Sequence, residues 1–477
     1  MKKTSKFLFS MLIILGVYVA AIFIAEYFIE KKVNAEYDLE YSQFNLSLST
    51  SLKVKDLHFI QDGIDLKAEK LRVDLGLWST LLSDKTVIDQ ADLYNAKLNY
   101  TIPQEKEPKN SDSKSSKIEL NHVSLEEFNA IVLKGKDTIA KIANVNLELT
   151  NPLNENLDTS NIDFFKMDEL HFRLDKIQDL SVYNFDYAND GFDIDSLSID
   201  SDYTKENYIS QLSKEKDLIT MKSYGLHFNN FSFNVTSKKL NQIAFKNIAI
   251  DSSQTLIYRD KTIADDKSIK KTYGQKLQNL DFDLSIDKIS VDDSQLTYSE
   301  KLNQKKTSQI VLKDLNVKLN NFHNLENKSD QHMKLIGSFS LSPDSELDVG
   351  IDYNQFADVE TFQLDLNAKN INTKALNQIM KPTMNFGMEG YFEMIKAKMI
   401  SNNNAQGIFN LTAKDIELTM YSDSGREKKI MSFMANKLLN NNISEEVEIE
   451  KVERNPTKSM WNFIWNYIKS GLTKILL

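Results

Sequence analysis

Cysteine is absent from the 477-residue chain. Without a thiol the chain has no disulfide framework, no thiolate zinc site, no cysteine nucleophile and no lipid-modified cysteine. Glycine and proline are scarce, at 14 and 6 residues, well below the average usage of about 7% and 5%. This composition excludes collagen-like and low-complexity chains, and it disfavours folds built on many tight turns.

Basic residues are outnumbered by acidic ones: the chain has 58 Lys and Arg and 68 Asp and Glu, which gives a net charge of −10. Nucleic acids require clustered Lys and Arg, so this balance argues against a nucleic-acid partner. The sequence has no G-x-S-x-G elbow, P-loop, dinucleotide glycine fingerprint or H-E-x-x-H motif. We therefore predict a protein that is not an enzyme, without catalytic, cofactor-binding or metal-binding residues.

A long uncharged run, FLFSMLIILGVYVAAIFIA, occupies residues 7–25. At about 1.5 Å per residue it spans roughly 28 Å, close to the ~30 Å hydrocarbon core of a bilayer. Lysines 2, 3 and 6 precede it, so the positive-inside rule places the N-terminus in the cytoplasm and the bulk of the chain outside it. A cleaved signal peptide has a shorter apolar core and a small-residue cleavage site, which FIA before Glu26 does not supply.

We therefore predict a retained, single-pass membrane anchor. Its membrane-spanning residues are Phe7, Leu8, Leu12, Ile13, Ile14, Leu15, Val17, Val19, Ile22, Ile24 and Ala25.

From about Phe44 onward the dominant hydrophobic period is two, which is typical of half-buried strands. An eight-residue pattern recurs in which apolar residues stand at positions 1, 3, 6 and 8, as in Leu52, Val54, Leu57 and Phe59. Strict alternation would send the second apolar pair to the opposite face, and one extra residue returns it to the first. A β-bulge or sharp bend has this effect. The pattern predicts a long sheet with one apolar face, bent at a constant place.

A sheet with one apolar face needs a cover, which a second sheet, helices or a ligand would supply. Helices are predicted only near Leu77–Leu82, Thr373–Met380, Glu427–Leu439 and the C-terminus. Both a groove and an array of β-sandwiches therefore remain open. The candidate groove residues are Leu52, Val54, Leu57, Phe59, Leu66, Leu71, Val73, Ile118, Leu120, Val123, Leu125, Phe192, Ile194, Leu197, Ile199, Phe245, Ile248, Ile250, Leu284, Ile286, Ile289, Val291, Ile310, Leu312, Leu315, Val317, Leu411, Ile416 and Leu418.

The last 23 residues, 455–477, predict an amphipathic helix, with Pro456 suited to its start. Tryptophans with flanking lysines suit a helix at a membrane surface, whereas a helix that caps the sheet is the alternative. The predicted helix face comprises Trp461, Phe463, Ile464, Trp465, Ile468, Leu472 and Ile475.

The stretch IDLKAEKLRVDLGLWSTLLSDKTVIDQADLYNAKLNY at Ile64–Tyr100 follows the basic start and the predicted membrane helix. A second stretch, INTKALNQIMKPTMNFGMEGYFEMIKAKMISNNNAQGIFNLTAKDIEL, lies at Ile371–Leu418. Both stretches resemble the AsmA family of bacterial envelope proteins. Between about residues 150 and 350 the likeness is confined to the strand pattern.

The resemblance implies a mostly β protein in which an N-terminal transmembrane helix precedes a long, curved, taco-like β-groove. Such proteins, similar to TamB and the bridge-like lipid transfer proteins, are implicated in moving phospholipids between the two membranes of diderm bacteria. The implied partners are a phospholipid or other acyl-chain lipid, the inner membrane and an outer-membrane protein, and no cofactor is implied. A membrane-anchored scaffold or assembly factor for outer-membrane proteins is the alternative.

The predicted organisation has six parts. A cytoplasmic start and transmembrane helix at 1–32 are followed by an AsmA-like β segment at 33–103 and a polar loop at 104–117. A repetitive β-groove then covers 118–370, an AsmA-like β segment with short helices covers 371–454, and the amphipathic helix closes the chain at 455–477. Within the groove, Asp260–Lys271 is predicted to be a second charged, mobile loop.

Overall fold

The computed structural model describes residues 38–46, 51–76, 86–103, 118–152, 156–188, 190–237, 239–422, 425–429 and 442–476. The predicted membrane anchor, the predicted helix near Leu77–Leu82 and the predicted loop at 104–117 lie outside these residues, as does most of Glu427–Leu439. Within the described ranges no helix has the length and apolar character that a membrane crossing requires.

The described strands are β1 (Asp38–Glu40), β2 (Gln43–Leu46), β3 (Ser51–Gln61), β4 (Ile64–Leu75), β5 (Thr86–Thr101), β6 (Ile118–Leu120), β7 (His122–Lys134), β8 (Asp137–Thr150), β9 (Asn156–Asp158), β10 (Ile162–Arg173), β11 (Asp179–Ala188), β12 (Gly191–Asp200), β13 (Leu218–Asn229), β14 (Ser232–Thr236), β15 (Lys239–Asp260), β16 (Asp283–Lys301), β17 (Thr307–His323), β18 (Met333–Ser340), β19 (Glu346–Tyr353), β20 (Thr361–Asn372), β21 (Phe386–Asn402), β22 (Asn404–Met420) and β23 (Ile443–Glu453).

The described α-helices are α1 (Tyr273–Gln278), α2 (Thr373–Met384) and α3 (Met460–Leu476). Three short 3-10 helices lie at Thr159–Asn161, Tyr208–Gln211 and Glu326–Lys328.

The prediction of a mostly β chain is confirmed, and the described strands pair into hydrogen-bonded sheet within each unit, as a groove-forming sheet requires. The chain divides into two compact units. Unit 1 comprises residues 1–198 and 227–243, and unit 2 comprises residues 199–226 and 244–477.

Unit 1 is a meander in which β1 and β2 both pair with β3, and β3, β4 and β5 follow as antiparallel neighbours. The next neighbours, β6 and β7, pair with β5 in parallel. A parallel pair needs a long connection, and the polar stretch at 104–117 lies in that connection. Beyond β7 the order β7–β8–β10–β11 is antiparallel, and the short strand β9 pairs with β14.

In unit 2 the strands from β16 to β23 pair in sequence order, each antiparallel to the next. The β18–β19 hairpin is short, with 8 residues in each strand between neighbours of 17 and 12 residues. Neighbours along the chain are thus neighbours in the sheet, so a cross-strand row of side chains can be followed from β16 to β23.

The predicted bend is present in both units. In unit 1 a line of residues with φ of 45–54° crosses the sheet at the break of the eight-residue pattern, and these residues are Asp56, Asn95, Glu127, Asn144 and Asn184. In unit 2 the corresponding residues are Asp293, Asp314, Asn370 and Asp415, with φ of 37–54°. Because asparagine and aspartate tolerate the left-handed region better than most residues, the polar pair in the centre of the pattern has a conformational cause.

An asparagine two residues after the left-handed position closes the bend. The Asn129 side-chain amide donates to the Glu127 carbonyl at 3.0 Å, while its side-chain oxygen accepts from the Asn144 amide of the next strand at 3.1 Å. Asn316 repeats this arrangement, donating to the Asp314 carbonyl at 2.9 Å and accepting from the Asp293 amide at 3.2 Å. These bonds satisfy backbone groups that the sheet ladder leaves unpaired at a bulge.

Among the residues with positive φ at the bends of unit 1, Glu127 has the longest side chain. Its φ is 53° and its side chain is exposed. Glu127→Asn should raise the free energy of unfolding by about 0.5–1 kcal/mol, because asparagine visits the left-handed region at little steric cost. Glu127→Ile should lower it by about 1–2 kcal/mol, because a β-branched side chain is strained there. Urea denaturation measures both changes, and equal stability of the two variants would show that the bend imposes no conformational demand.

Candidate functional site

The predicted groove residues differ in how far they are covered. The buried ones are Val54, Leu57, Phe59, Leu66, Leu120, Val123, Leu125, Phe192, Ile194, Phe245, Leu284, Ile286, Leu411, Ile416 and Leu418. The half-buried ones are Leu52, Leu71, Val73, Leu197, Ile199, Ile248, Ile250, Ile289, Val291, Ile310, Leu312, Leu315 and Val317. The side chain of Ile118 lies outside the described part of the structure.

The half-buried residues of β16, β17 and β18 form a compact patch in unit 2. Val291 lies opposite Val317, and Ile289 lies opposite Leu319, which in turn faces Leu335 of β18. Directly opposed residues share a face of the sheet. We name the patch the aliphatic strip, and its members are Ile289, Val291, Leu315, Val317, Leu319 and Leu335.

The reverse face of the same strands is polar. Lys318 lies between Ser290 and Ile336 in the cross-strand row next to that of Val317. Ile336 is the apolar exception, with 61% of its surface exposed. The predicted contrast between one apolar and one wet face is therefore present at this part of the sheet.

The rows that start in the aliphatic strip become buried further along unit 2. The row of Ile289, Leu319 and Leu335 continues through Ile351, Leu364 and Met399. The latter three side chains are buried, whereas the first three are half-buried. One continuous apolar face thus passes from a half-buried part at β16–β18 to a buried part at β20–β22.

Helix α3 supplies part of that cover. The Phe463 ring meets Phe362 of β20 edge to face, with centroids 6.3 Å apart. The Tyr467 hydroxyl donates to the Lys398 carbonyl of β21 at 2.7 Å, and a β-carbon at position 471 would overlap the Phe409 ring of β22. Gly471 is therefore required for the close approach of helix and sheet.

The sequence-based account of this helix needs two corrections. The helix begins at Met460 rather than at Pro456, because the Asn455 side chain folds residues 455–457 into a turn by accepting from the Thr457 amide at 3.0 Å. The packed face is also rotated from the predicted one, and its residues are Met460, Phe463, Ile464, Tyr467, Gly471, Leu472 and Leu476. Trp461 is 51% exposed, and Trp465, Ile468 and Ile475 are half-buried.

Helix α2 contacts β21 and β17, on either side of the short β18–β19 hairpin. The side chain of Asn372 caps its N-terminus by accepting from the Lys374 amide at 3.0 Å. Past its C-terminus, Asn385 accepts from the Lys306 ammonium at 2.9 Å, next to the start of β17. The prediction of a helix at Thr373–Met380 is confirmed.

A group of ion pairs lies where β15 and β16 end. The Arg259 guanidinium donates two hydrogen bonds to the Asp217 carboxylate, at 2.6 and 2.8 Å. Nearby, the Tyr298 hydroxyl donates to Glu300 at 2.5 Å, and burial raises the pKa of Tyr298 well above its usual value. Tyr298 follows the half-buried Leu296 by two residues on β16, so this polar group marks one end of the apolar face.

The loop at Asp260–Lys271, predicted to be mobile, is held in place. Asp260 is fully buried and pairs with Lys301 at 2.9 Å. Burial alone would raise the pKa of Asp260, but hydrogen bonds from Thr262 and Lys301 outweigh it and lower that pKa. Most residues of this stretch are exposed, as predicted for a solvated loop, and Asp266 within it pairs with Lys214 at 2.7 Å.

Two further ion-pair sites hold the segment that precedes α3. Arg454 pairs with Glu360 at 3.1 Å, and their side chains are only 6% and 1% exposed. Lys458 pairs with Asp265 at 2.6 Å and with Glu215 at 3.3 Å. Burial, aided by the neighbouring Asp265 carboxylate, raises the pKa of Glu215.

Unit 1 contains a second apolar region, in which Phe165, Phe185, Phe192 and Phe233 are buried and Phe228 and Phe231 are half-buried. Its aromatic rings form a chain of contacts with centroid separations of 4.3–5.7 Å, and the members are Phe165, Phe185, Phe192, Phe228, Phe231 and Phe233. Phe233 belongs to β14, which pairs with β9 across Val235 and Leu157. Aromatic side chains thus fill this part of the face in unit 1.

Within the described ranges no three histidine or acidic side chains come together as metal ligands. Comparison of the chain with protein-family models, with curated proteins and with solved structures found no match.

Proposed function

We propose that this chain is an inner-membrane-anchored, AsmA-like envelope protein that binds phospholipid acyl chains on its apolar sheet face. In this proposal residues 7–25 span the inner membrane, the N-terminus is cytoplasmic and the bulk of the chain is periplasmic. The protein supports lipid transport or outer-membrane homeostasis, and an outer-membrane protein is its further partner. The observation that carries the proposal is the aliphatic strip on β16–β18.

The chemistry of the strip favours hydrocarbon as its occupant. Its six side chains are all Ile, Leu or Val. Ser294, opposite Leu315 on the same face, is buried and donates its hydroxyl to the Asp292 carbonyl at 2.7 Å, so it does not select a polar ligand either. Helix α3, an elongated apolar element, covers the same face at β20–β22. This supports an occupant of similar shape and polarity on the part of the face at β16–β18.

The free energy that an acyl chain gains on the strip favours lipid transfer over lipid storage. Full burial of a methylene is worth about 0.8 kcal/mol, so a tail covered on one side gains about 0.4 kcal/mol per methylene. This is less than the same tail gains inside a bilayer. A lipid held on the strip would therefore leave it readily for a membrane, which suits delivery of lipid and not its storage.

Site-specific photo-cross-linking in cells tests the occupant. A benzophenone amino acid replaces Val317, in the centre of the strip, in the full chain. The matched control carries it at Ile336, on the neighbouring strand but on the reverse face. We expect phospholipid adducts at position 317 and few at 336, identified by mass spectrometry.

Three other outcomes would overturn the proposal. Protein adducts at position 317 would favour the scaffold alternative, in which a partner's apolar segment covers the strip. Equal lipid adducts at both positions would indicate contact with a membrane surface without a specific site. No adduct at either position would show that hydrocarbon does not occupy the strip.

A further inference from the structure

The aliphatic strip and the sheet face beneath α3 are parts of the same surface. A single cross-strand row joins them, in which each residue lies opposite the next on the neighbouring strand. Its members, from β16 to β22, are Val291, Val317, Gly337, Val349, Leu366, Ala397 and Phe409. An occupant that moved along this row from the strip would reach Phe409, against which α3 is packed.

The helix occupies this surface closely. Gly471 lies against the Phe409 ring, so there is no space for a hydrocarbon chain between helix and sheet. The Tyr467 hydroxyl reaches two carbonyl groups of the underlying strands, those of Lys398 at 2.7 Å and Ile408 at 3.3 Å. At the other end of the helix, Lys474 donates to the Glu448 carbonyl of β23 at 3.0 Å.

Helix α3 also retains apolar surface that the sheet does not use. Trp461 is half exposed, and Trp465 and Ile468 are half-buried. A helix with apolar residues beyond its packed face is suited to exchange a protein surface for hydrocarbon. The Arg454–Glu360 and Lys458–Asp265 ion pairs fix the chain just before the helix, so they define where it is attached.

We propose that α3 is the stop of the acyl-chain path. By occupying the apolar face at β20–β22 it confines bound lipid to β16–β19, and its displacement lengthens the path and raises the number of lipids held. This inference rests on the proposed function. It predicts that the Gly471–Phe409 contact determines how many lipids one chain holds.

Gly471→Leu tests the stop, because a leucine side chain at this position must overlap the Phe409 ring and lift the helix. Full-length protein in a detergent-free polymer is analysed by native mass spectrometry for phospholipids per chain. We expect about a two-fold increase over the parent protein. Amide hydrogen exchange in residues 460–476 reports independently whether the helix has been displaced.

Two controls isolate the contact. Thr473→Leu adds the same side chain at an exposed position of the same helix and should leave the lipid count unchanged. Gly471→Leu combined with Phe409→Ala restores space beneath the helix and should return the count towards the parent value. Tyr467→Phe loosens the helix without added bulk, and a smaller increase is expected if Gly471→Leu does not fold.

The outcomes separate the two proposals. A parent protein that carries no lipid overturns the proposed function. A parent that carries lipid, together with a displaced helix and an unchanged lipid count, overturns the stop alone. An increased count with Thr473→Leu as well would also overturn it, because the effect would then follow from added hydrophobicity.

Discussion

Leu315→Arg is expected to lower the phospholipid recovered per chain by about 100-fold. Leu315 lies in the aliphatic strip, opposite Ser294 of β16. A hydrated guanidinium at this position keeps roughly eight methylenes off the strip at about 0.4 kcal/mol each, or about 3 kcal/mol in all. Quantitative lipid mass spectrometry of the full-length protein, purified in a detergent-free polymer, measures the change.

Ile336→Arg is the matched control for this substitution. It places the same charge on the neighbouring strand, but on the reverse face, where Ile336 is already 61% exposed. Its lipid content and melting temperature should equal those of the parent protein. If the Leu315→Arg protein folds and carries as much lipid as the Ile336→Arg protein, the strip is not the lipid-binding surface.

The fold could be predicted from the sequence to the extent that it depends on local pattern. The period of two indicated the strands, and the break in that period indicated the bends, because both follow from which face each side chain takes. Asp56 and Asn144 show that the bends lie where the period breaks, since each is a polar residue at a break and each adopts positive φ. The paired role of Asn129, which closes one bend and caps the next, was missed because it depends on a neighbouring strand.

Helix α1 was missed although a signal for it exists. Thr272 and Gln275 form a capping box in which each side chain accepts from the other residue's backbone amide. This S/T-x-x-E/Q spacing marks the start of a helix. The stretch before it is charged, which favours a loop, and with only 6 residues the helix shows little hydrophobic period.

The extent of cover could not be predicted, because the strands of the strip and those beneath α3 share one pattern. Ile310 and Leu411 both occupy the first position of their copies of the pattern, yet Ile310 is half-buried and Leu411 is fully buried. The difference arises from a helix about 50 residues further along the chain than Leu411. The helix itself was predicted, but its packed face was wrong because nearly every side of it has an apolar residue.

Arg454→Met is expected to lower the free energy of unfolding of unit 2 by about 3–5 kcal/mol, because removal of one partner leaves a buried charge uncompensated. Glu360 is 1% exposed, and its other carboxylate oxygen accepts from the neutral Tyr353 hydroxyl, at 2.8 Å. Loss of the pair should also free the segment that precedes α3. Thermal unfolding and amide exchange of residues 460–476 measure the two effects.

The companion variants distinguish a buried ion pair from general loss of charge. Lys451→Met removes a cation from the exposed Lys451–Glu453 pair, with 57% and 76% of the side chains exposed, and should leave stability nearly unchanged. Arg454→Met combined with Glu360→Gln removes both charges while retaining an acceptor for Tyr353, and should recover most of the lost stability. If the double variant were as unstable as Arg454→Met, the loss would lie in the arginine's bonds to the Lys458 carbonyl and its packing, and the pair would not be the anchor of α3.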